Sequence, residues 1–289
     1  MLTTAEIIKK VRELEIKSKK ITRHLFTGEY HSAFKGRGML FKEVREYTHG
    51  DDIRFIDWNV SARLNHPYSK VFEEERELTL MLLIDVSASS LFGTTHARKK
   101  DLVTEIGAVL TFSAISNNDK VGVIFFSDKV EKFIPPKKGR DHGLFIVREL
   151  LTAEPKRKGT SLAEALRRFN NSTRQKCITF VLSDFIDGGF EDALKVAGKK
   201  HDLIGIKVYD KMEMQLPEIG LVEVEDAETG QSAWIDTNDF VVRRNYQTNF
   251  FAYTEYCKSI FLKAGCDLLH IRTDEDYVKV LQKFFISRN

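Results

Sequence analysis

The sequence predicts an α/β fold, a doubly wound and mainly parallel sheet flanked by helices, with an N-terminal helical and irregular extension. Two observations carry that prediction. Four short apolar runs, at 78–85, 121–128, 177–184 and 202–208, have the texture of strands buried on both faces. Between them, apolar residues recur at helical spacing. Strand and helix therefore alternate at distances that suit right-handed βαβ crossovers.

Taken in order, residues 4–25 place Ile7, Ile8, Val11, Leu14 and Ile21 among charges, the pattern of an amphipathic helix. Residues 28–66 are polar and punctuated by Gly28, Gly36, Gly38 and Gly50, which predicts an irregular stretch with one or two short strands. Val71 to Glu77 alternates weakly, as an edge strand does. After the first apolar run, Leu102, Ile106, Val109 and Leu110 mark a helix within 97–116. Residues 129–136 read as a short strand stopped by Pro135 and Pro136, which cannot donate to a ladder. Helices follow at 141–151, at 161–170 (Leu162, Ala165, Leu166, Phe169) and around Phe190, Ala193, Leu194 and Ala197. Residues 210–237 break the rhythm with a β-hairpin turning at Glu228, Thr229 and Gly230. A helix over 239–264, a strand over 267–273 and a terminal helix over 274–286 resume it. The expected organisation is an extension, 1–77, packed on a main domain, 78–289.

Composition narrows the function. The 289 residues are 42% hydrophobic and 30% charged, with 45 basic against 42 acidic side chains and a net charge of +3. So small a surplus does not suggest a dedicated nucleic-acid binder, and the lysines lack interleaved aromatics for stacking bases. No apolar run approaches the roughly 20 residues that span a bilayer, and the charged start lacks the core of a signal peptide. Cys177, Cys257 and Cys266 form no C-x-x-C pair. That sparse, odd set suits a reducing compartment and thiols packed as small hydrophobes, so a cytoplasmic location is expected.

The chemistry concentrates at strand ends. The first apolar run ends in Asp85-Val86-Ser87-Ala88-Ser89 and the third in Ser183-Asp184, while Gly159-Thr160-Ser161 precedes a helix between them. In an open α/β sheet, ligands bind beyond the carboxyl ends of the strands. Asp85 and Asp184 would bring charge there, and Ser87, Ser89 and Thr160 neutral oxygens. A hard cation such as Mg²⁺ favours such a set, and Mn²⁺ is an alternative. A shell dominated by hydroxyls leaves the ion wanting one more anionic oxygen, which an acidic residue of a protein partner would supply. Each piece taken singly also fits a helix N-cap, which Ser and Asp favour.

Together these elements resemble the von Willebrand factor A domain, over roughly residues 78–208. The resemblance implies a metal-ion-dependent adhesion site on Asp85, Ser87, Ser89, Thr160 and Asp184, and a binding role without catalysis. Upstream, the stretch from Arg45 to Arg63 includes Arg54, Asp57 and Trp58. With the later LPEIG and DAETG segments it resembles the bacterial domain-of-unknown-function family fifty-eight. That implies a partnership with a MoxR-type AAA+ ATPase in assembling or activating other proteins. The Arg45–Arg63 ion pairs would either pin the extension to the main domain, with Trp58 filling a core gap, or form a docking surface. Lys137, Lys138, Arg140, Lys156, Arg157 and Lys158 read as a solvated rim or as charges steering an acidic partner to the metal. The alternative function is a Mg²⁺-dependent phosphatase or hydrolase using Asp85. Against it, Ser87 stands where an aspartyl-phosphate enzyme would place a second acid, and no Gly-rich phosphate loop is present. The eight histidines show no metal-ligand spacing.

Overall fold

A computed structural model describes residues 4–25, 40–73, 78–94, 98–154, 159–226 and 230–288. The chain divides into two units, Met1–Ala33 with Leu78–Asn289, and Phe34–Glu77. The larger unit begins with α1 (Thr4–Leu25) and continues with β3 (Thr79–Asp85), α3 (Lys99–Ser116), β4 (Lys120–Phe126) and β5 (Val130–Lys137). Then come α4 (Arg140–Thr152), α5 (Leu162–Ser172), β6 (Ile178–Ser183), α6 (Glu191–Lys200), β7 (Asp202–Tyr209) and the single turn α7 (Lys211–Met214). The hairpin β8 (Leu221–Glu225) and β9 (Ser232–Asp236), then α8 (Phe240–Ala264), β10 (Asp267–Arg272) and α9 (Tyr277–Arg288) complete it. The smaller unit holds β1 (Leu40–Glu46), α2 (Trp58–Leu64) and β2 (Tyr68–Glu73), with β1 and β2 antiparallel.

Six strands form one sheet in the order β10-β7-β6-β3-β4-β5. All neighbours run parallel except β4 and β5. Central strands earn their apolar runs: Leu80 to Ile84 are at most 2% exposed. This is the doubly wound α/β fold that the sequence predicts. Helices α3 and α4 pack closely at Gly143, where a Cβ would come within 1.8 Å of Ile115 Cδ1 and would displace the end of that side chain.

Three expectations change. First, α1 belongs to the larger unit: Ile21 is buried, and Arg140 of α4 binds the Glu15 carboxylate through Nη2 at 2.8 Å. An amphipathic helix finds its partner in space, which the boundary at residue 77 ignored. Second, β5 runs through Pro135 and Pro136 to Lys137. It lies at the sheet edge, where a missing N–H costs no ladder bond. Third, Trp58, expected in a core gap, is 70% exposed.

Candidate functional site

Strand β3 delivers Asp85 to the carboxyl edge, and a 3-10 turn (Ala88–Leu91) follows at once with Ser87 at its N-cap. Asp85 accepts the Ser87 N–H on Oδ1 (2.9 Å) and the Ser183 hydroxyl on Oδ2 (2.6 Å). The Ser87 and Ser89 hydroxyls lie 3.0 Å apart. Adjacent β6 ends at Ser183, so the next residue, Asp184, comes to the same edge. Asp184 accepts the Ile186 N–H on Oδ1 (3.2 Å) and the Ser89 hydroxyl also bonds it. Asp85 and Asp184 are only 5% and 6% exposed.

The two carboxyls differ electrostatically. Burial, then repulsion by Asp184, pushes Asp85 up to about 7 against the opposing Ser183 and Ser87 hydrogen bonds. Burial pushes Asp184 up as well. The Lys99 ammonium outweighs it, with help from Ser89 and the Ile186 N–H, and holds Asp184 below the ordinary carboxylate range. Lys99 Nζ donates to Asp184 Oδ2 at 2.8 Å and to Glu213 Oε1 at 2.6 Å. Its own burial would lower its pKa, yet the charges of Asp184 and Glu213 raise it.

Around this pair lies a supporting network. Lys207, 2% exposed, donates to the Asp184 carbonyl at 2.5 Å, and burial lowers its pKa. Glu213 accepts the Asp210 N–H (2.7 Å), while Asp210 binds the hydroxyls of Thr94 and Thr273, each at 2.8 Å. The loop after β6 turns sharply at Phe185, whose φ of 58° is the left-handed region that a bulky side chain rarely adopts. Tyr253 of α8 holds that turn: its hydroxyl lies 2.6 Å from the Phe185 carbonyl and 2.7 Å from that of Asp187. Asp187 in turn accepts the Leu162 N–H at 2.7 Å, tying the segment that holds Thr160 to the end of β6.

Asp85, Ser87, Ser89 and Asp184 are thus brought together, and Thr160 stands half-buried two residues before the Leu162 tie. Among the described residues no three of His, Cys, Asp and Glu converge, so a cation here would depend on hydroxyl oxygens. The donor set fits a hard divalent ion. Asp85 in particular is a buried carboxyl destabilised as an anion, which a nearby cation would relieve.

The basic residues stand elsewhere. Because β5 is antiparallel to β4, Lys137 pairs with Val121 while Asp85 pairs with Phe126. Lys137, Lys138 and Arg140 therefore sit at the amino edge of the sheet, about 17 Å along the strands from Asp85 at ~3.3 Å per residue. They do not rim the Asp85 edge, and Arg140 is engaged with Glu15. Lys156, Arg157 and Lys158 lie outside the described residues. In the smaller unit, Arg45 pairs with Asp51 (2.7 Å) and Arg54 with Asp52 (2.6 Å), and Asp57 caps α2 through the N–H groups of Asn59 and Val60. Arg63 and Trp58 are exposed.

Sequence reasoning missed Lys99, Lys207, Asp210, Glu213 and Tyr253. Lys99 did leave a signal, standing three and four residues before Leu102 and Val103 on the apolar face of α3. A lysine inside an apolar strand run, as Lys207 is, was another.

A mainly parallel sheet flanked by helices, crowned by Asp85-x-Ser-x-Ser and Asp184, defines a von Willebrand factor A-like domain. The sequence profile described as "Protein of unknown function DUF58" matches residues 43–255, and the chain belongs to that family. "Uncharacterized protein Rv1480" of Mycobacterium tuberculosis (strain ATCC 25618 / H37Rv) is 28% identical over 281 residues, 96% of this chain and 88% of that protein. "Uncharacterized protein YeaD" of Bacillus subtilis (strain 168) is 29% identical over 110 residues, 38% of this chain and 25% of that protein. Among solved structures, an aerotolerance-related membrane protein from Bacteroides fragilis NCTC 9343 shares the fold. Its TM-score is 0.52 at 15% identity, over 73% of this chain and 99% of that one. The SpRpn10 VWA domain gives a TM-score of 0.39 at 14% identity, over 74% and 95% of the two chains. No helix among the described residues is long and apolar enough to cross a membrane.

Proposed function

We propose that this chain is a divalent-cation-dependent protein-interaction module. Asp85, Ser87, Ser89, Thr160 and Asp184 would hold Mg²⁺, or Mn²⁺ in its place, and an acidic side chain of a protein partner would complete the shell. The observation that carries this reading is the pair of buried carboxyls at the ends of neighbouring strands, joined through the Ser87 and Ser89 hydroxyls. With a hydroxyl-dominated set, the ion's charge is incompletely neutralised, so external carboxylate binding is favoured. Nothing in this reading asks the chain to break a bond, and both Asp85 oxygens already accept hydrogen bonds.

The family resemblance makes a MoxR-type AAA+ ATPase the first partner to test. Calorimetric titration of Mg²⁺ and Mn²⁺ into wild type and Asp85→Ala tests the metal. Co-purification with the ATPase in Mg²⁺ and in EDTA tests the grip. Saturable binding in wild type, lost in the variant and in EDTA, supports the reading. Absence of divalent binding to wild type overturns it, as would Mg²⁺-dependent turnover of p-nitrophenyl phosphate lost in Asp85→Ala.

A further inference from the structure

The β8–β9 hairpin is a second, independent candidate surface. Residues 215–239 contain seven acids (Glu218, Glu223, Glu225, Asp226, Glu228, Asp236, Asp239) and no Lys, Arg or His, within a chain of net charge +3. Of residues 221–226 and 230–236, none is buried. One face of the ribbon, Val222, Val224 and Ile235, is half-buried and the other is open. So small a two-stranded ribbon is marginal in water, because its pairing brings little apolar burial. Yet this ribbon carries large apolar side chains in the open: Leu221 is 64% and Trp234 65% exposed.

The pairing register explains what that face is for. Glu223 lies directly opposite Trp234, and Leu221 opposite Asp236. Opposed residues share one face of a ribbon, and diagonal neighbours are within reach of large side chains. An indole thus lies beside Glu223, with Leu221 and Glu225 next in line. An exposed indole beside a carboxylate is a receptor for a guanidinium or ammonium, which stacks on the ring and pairs with the acid.

The complementary surface exists in this chain. Helix α1 carries seven Lys and Arg against three Glu. Its face opposite the buried Ser18 and Ile21 presents Ile8 (52% exposed) and Ile16 (70% exposed), with Lys9 and Arg12 exposed between them. Residues 8, 12 and 16 are one turn apart and form a single stripe. The hairpin is apolar and acidic, and this stripe is apolar and basic.

We propose that the hairpin of one copy docks on the exposed stripe of α1 in a second copy. A two-fold axis makes the contact twice, which closes the assembly as a dimer. The contact uses none of the Asp85-edge residues, so chelating divalent ions leaves it intact.

Sedimentation of the full chain at low and high salt, in EDTA, measures the association. Trp58→Phe leaves Trp234 as the only tryptophan, since the chain has two. The emission of that variant should shift to the blue as concentration rises. Trp234→Ala should weaken association at least tenfold. Glu223→Lys with Glu225→Lys, and separately Lys9→Glu with Arg12→Glu, should each give monomers, because both contacts then oppose like charges. Mixing those two variants gives a heterodimer in which one contact is charge-reversed on both sides and the other is native, so both attract and a dimer should be restored. A wild type that stays monomeric throughout the concentration range overturns the proposal and leaves the hairpin for another basic partner. A dimer indifferent to both charge reversals also overturns it.

Discussion

The smaller unit and the carboxyl edge of the large sheet are built from the same pairs of acids and bases, yet they spend them differently. In Phe34–Glu77 the arginine pairs are local and wet: Arg45 with Asp51, Arg54 with Asp52, six and two residues apart. Those contacts, with the helix caps they accompany, hold Asp51, Asp52 and Asp57 below the usual carboxylate range, led by backbone N–H bonds at Asp51 and Asp57 and by Arg54 at Asp52. At the sheet edge the pairs are distant in sequence and dry. Lys99 reaches Asp184, 85 residues on, and Glu213, 114 residues on, with its side chain 2% exposed. Solvent screens the first kind almost to nothing, whereas the second is worth most when one partner is removed. Burial, more than sequence content, decides which charged cluster can do chemistry.

Four substitutions would break or sharpen that contrast. The largest effect is expected for Lys99→Met, which strands the buried Asp184 without its cation and leaves the half-buried Glu213 unpaired by it. Urea unfolding in EDTA should show a loss of about 3–5 kcal/mol. The same variant should bind Mg²⁺ more tightly than wild type if the ion and the ammonium compete for Asp184. Equal affinities would show that Lys99 and the ion do not share that carboxylate. Tyr253→Phe comes next: it leaves the Asp187 N–H and the Phe185 and Asp187 carbonyls without their hydroxyl, at about 1–3 kcal/mol by the same measurement.

Asp85→Asn should change the pH dependence more than the stability itself. Without metal, the folded chain holds a proton on Asp85 between its ordinary value of 3.8 and about 7, and the unfolded chain does not. Its contribution to stability is therefore full below the lower value and declines as pH rises through that window. The Asn variant should lose this decline while also losing divalent binding. An unchanged slope in EDTA would show that Asp85 is ionised throughout. His201 acts in the opposite sense, because burial lowers it to about 4, so it destabilises the fold as pH falls below its ordinary 6.5. The comparison of wild type with Asp85→Asn cancels that contribution. The smallest effect belongs to Trp58→Ala in the smaller unit, within about 0.5 kcal/mol, as surface substitutions usually are. A larger loss in thermal or urea unfolding would mean that Trp58 is covered in solution.

The sequence displayed most of the sheet, because strands buried on both faces must be largely apolar, as Leu80–Ile84 and Phe180–Leu182 are. Asp85, Ser87, Ser89 and Asp184 were legible for a related reason: polar residues at the carboxyl end of such a run have one edge to occupy. What stayed hidden was long-range and electrostatic. Periodicity cannot say that β5 turns back against β4, so the place of Lys137 and Lys138 was lost with it. Nor does it reveal that α1 joins the larger unit across a long insertion. Lys99 and Glu213 acquire meaning only once β7 lies beside β6 and brings α7 to the same edge.

Helix α8 begins at Phe240, four residues after the hairpin ends, and carries Tyr253 thirteen residues further on. At 1.5 Å per residue, that is a stiff rod of about 20 Å between the acidic ribbon and the left-handed turn after Asp184. The Tyr253 hydroxyl grips two carbonyls of that turn, so axial sliding of the rod must either carry the loop along or let go of it. The open hairpin and the buried Asp184 are, mechanically, the handle and the jaw of one tool.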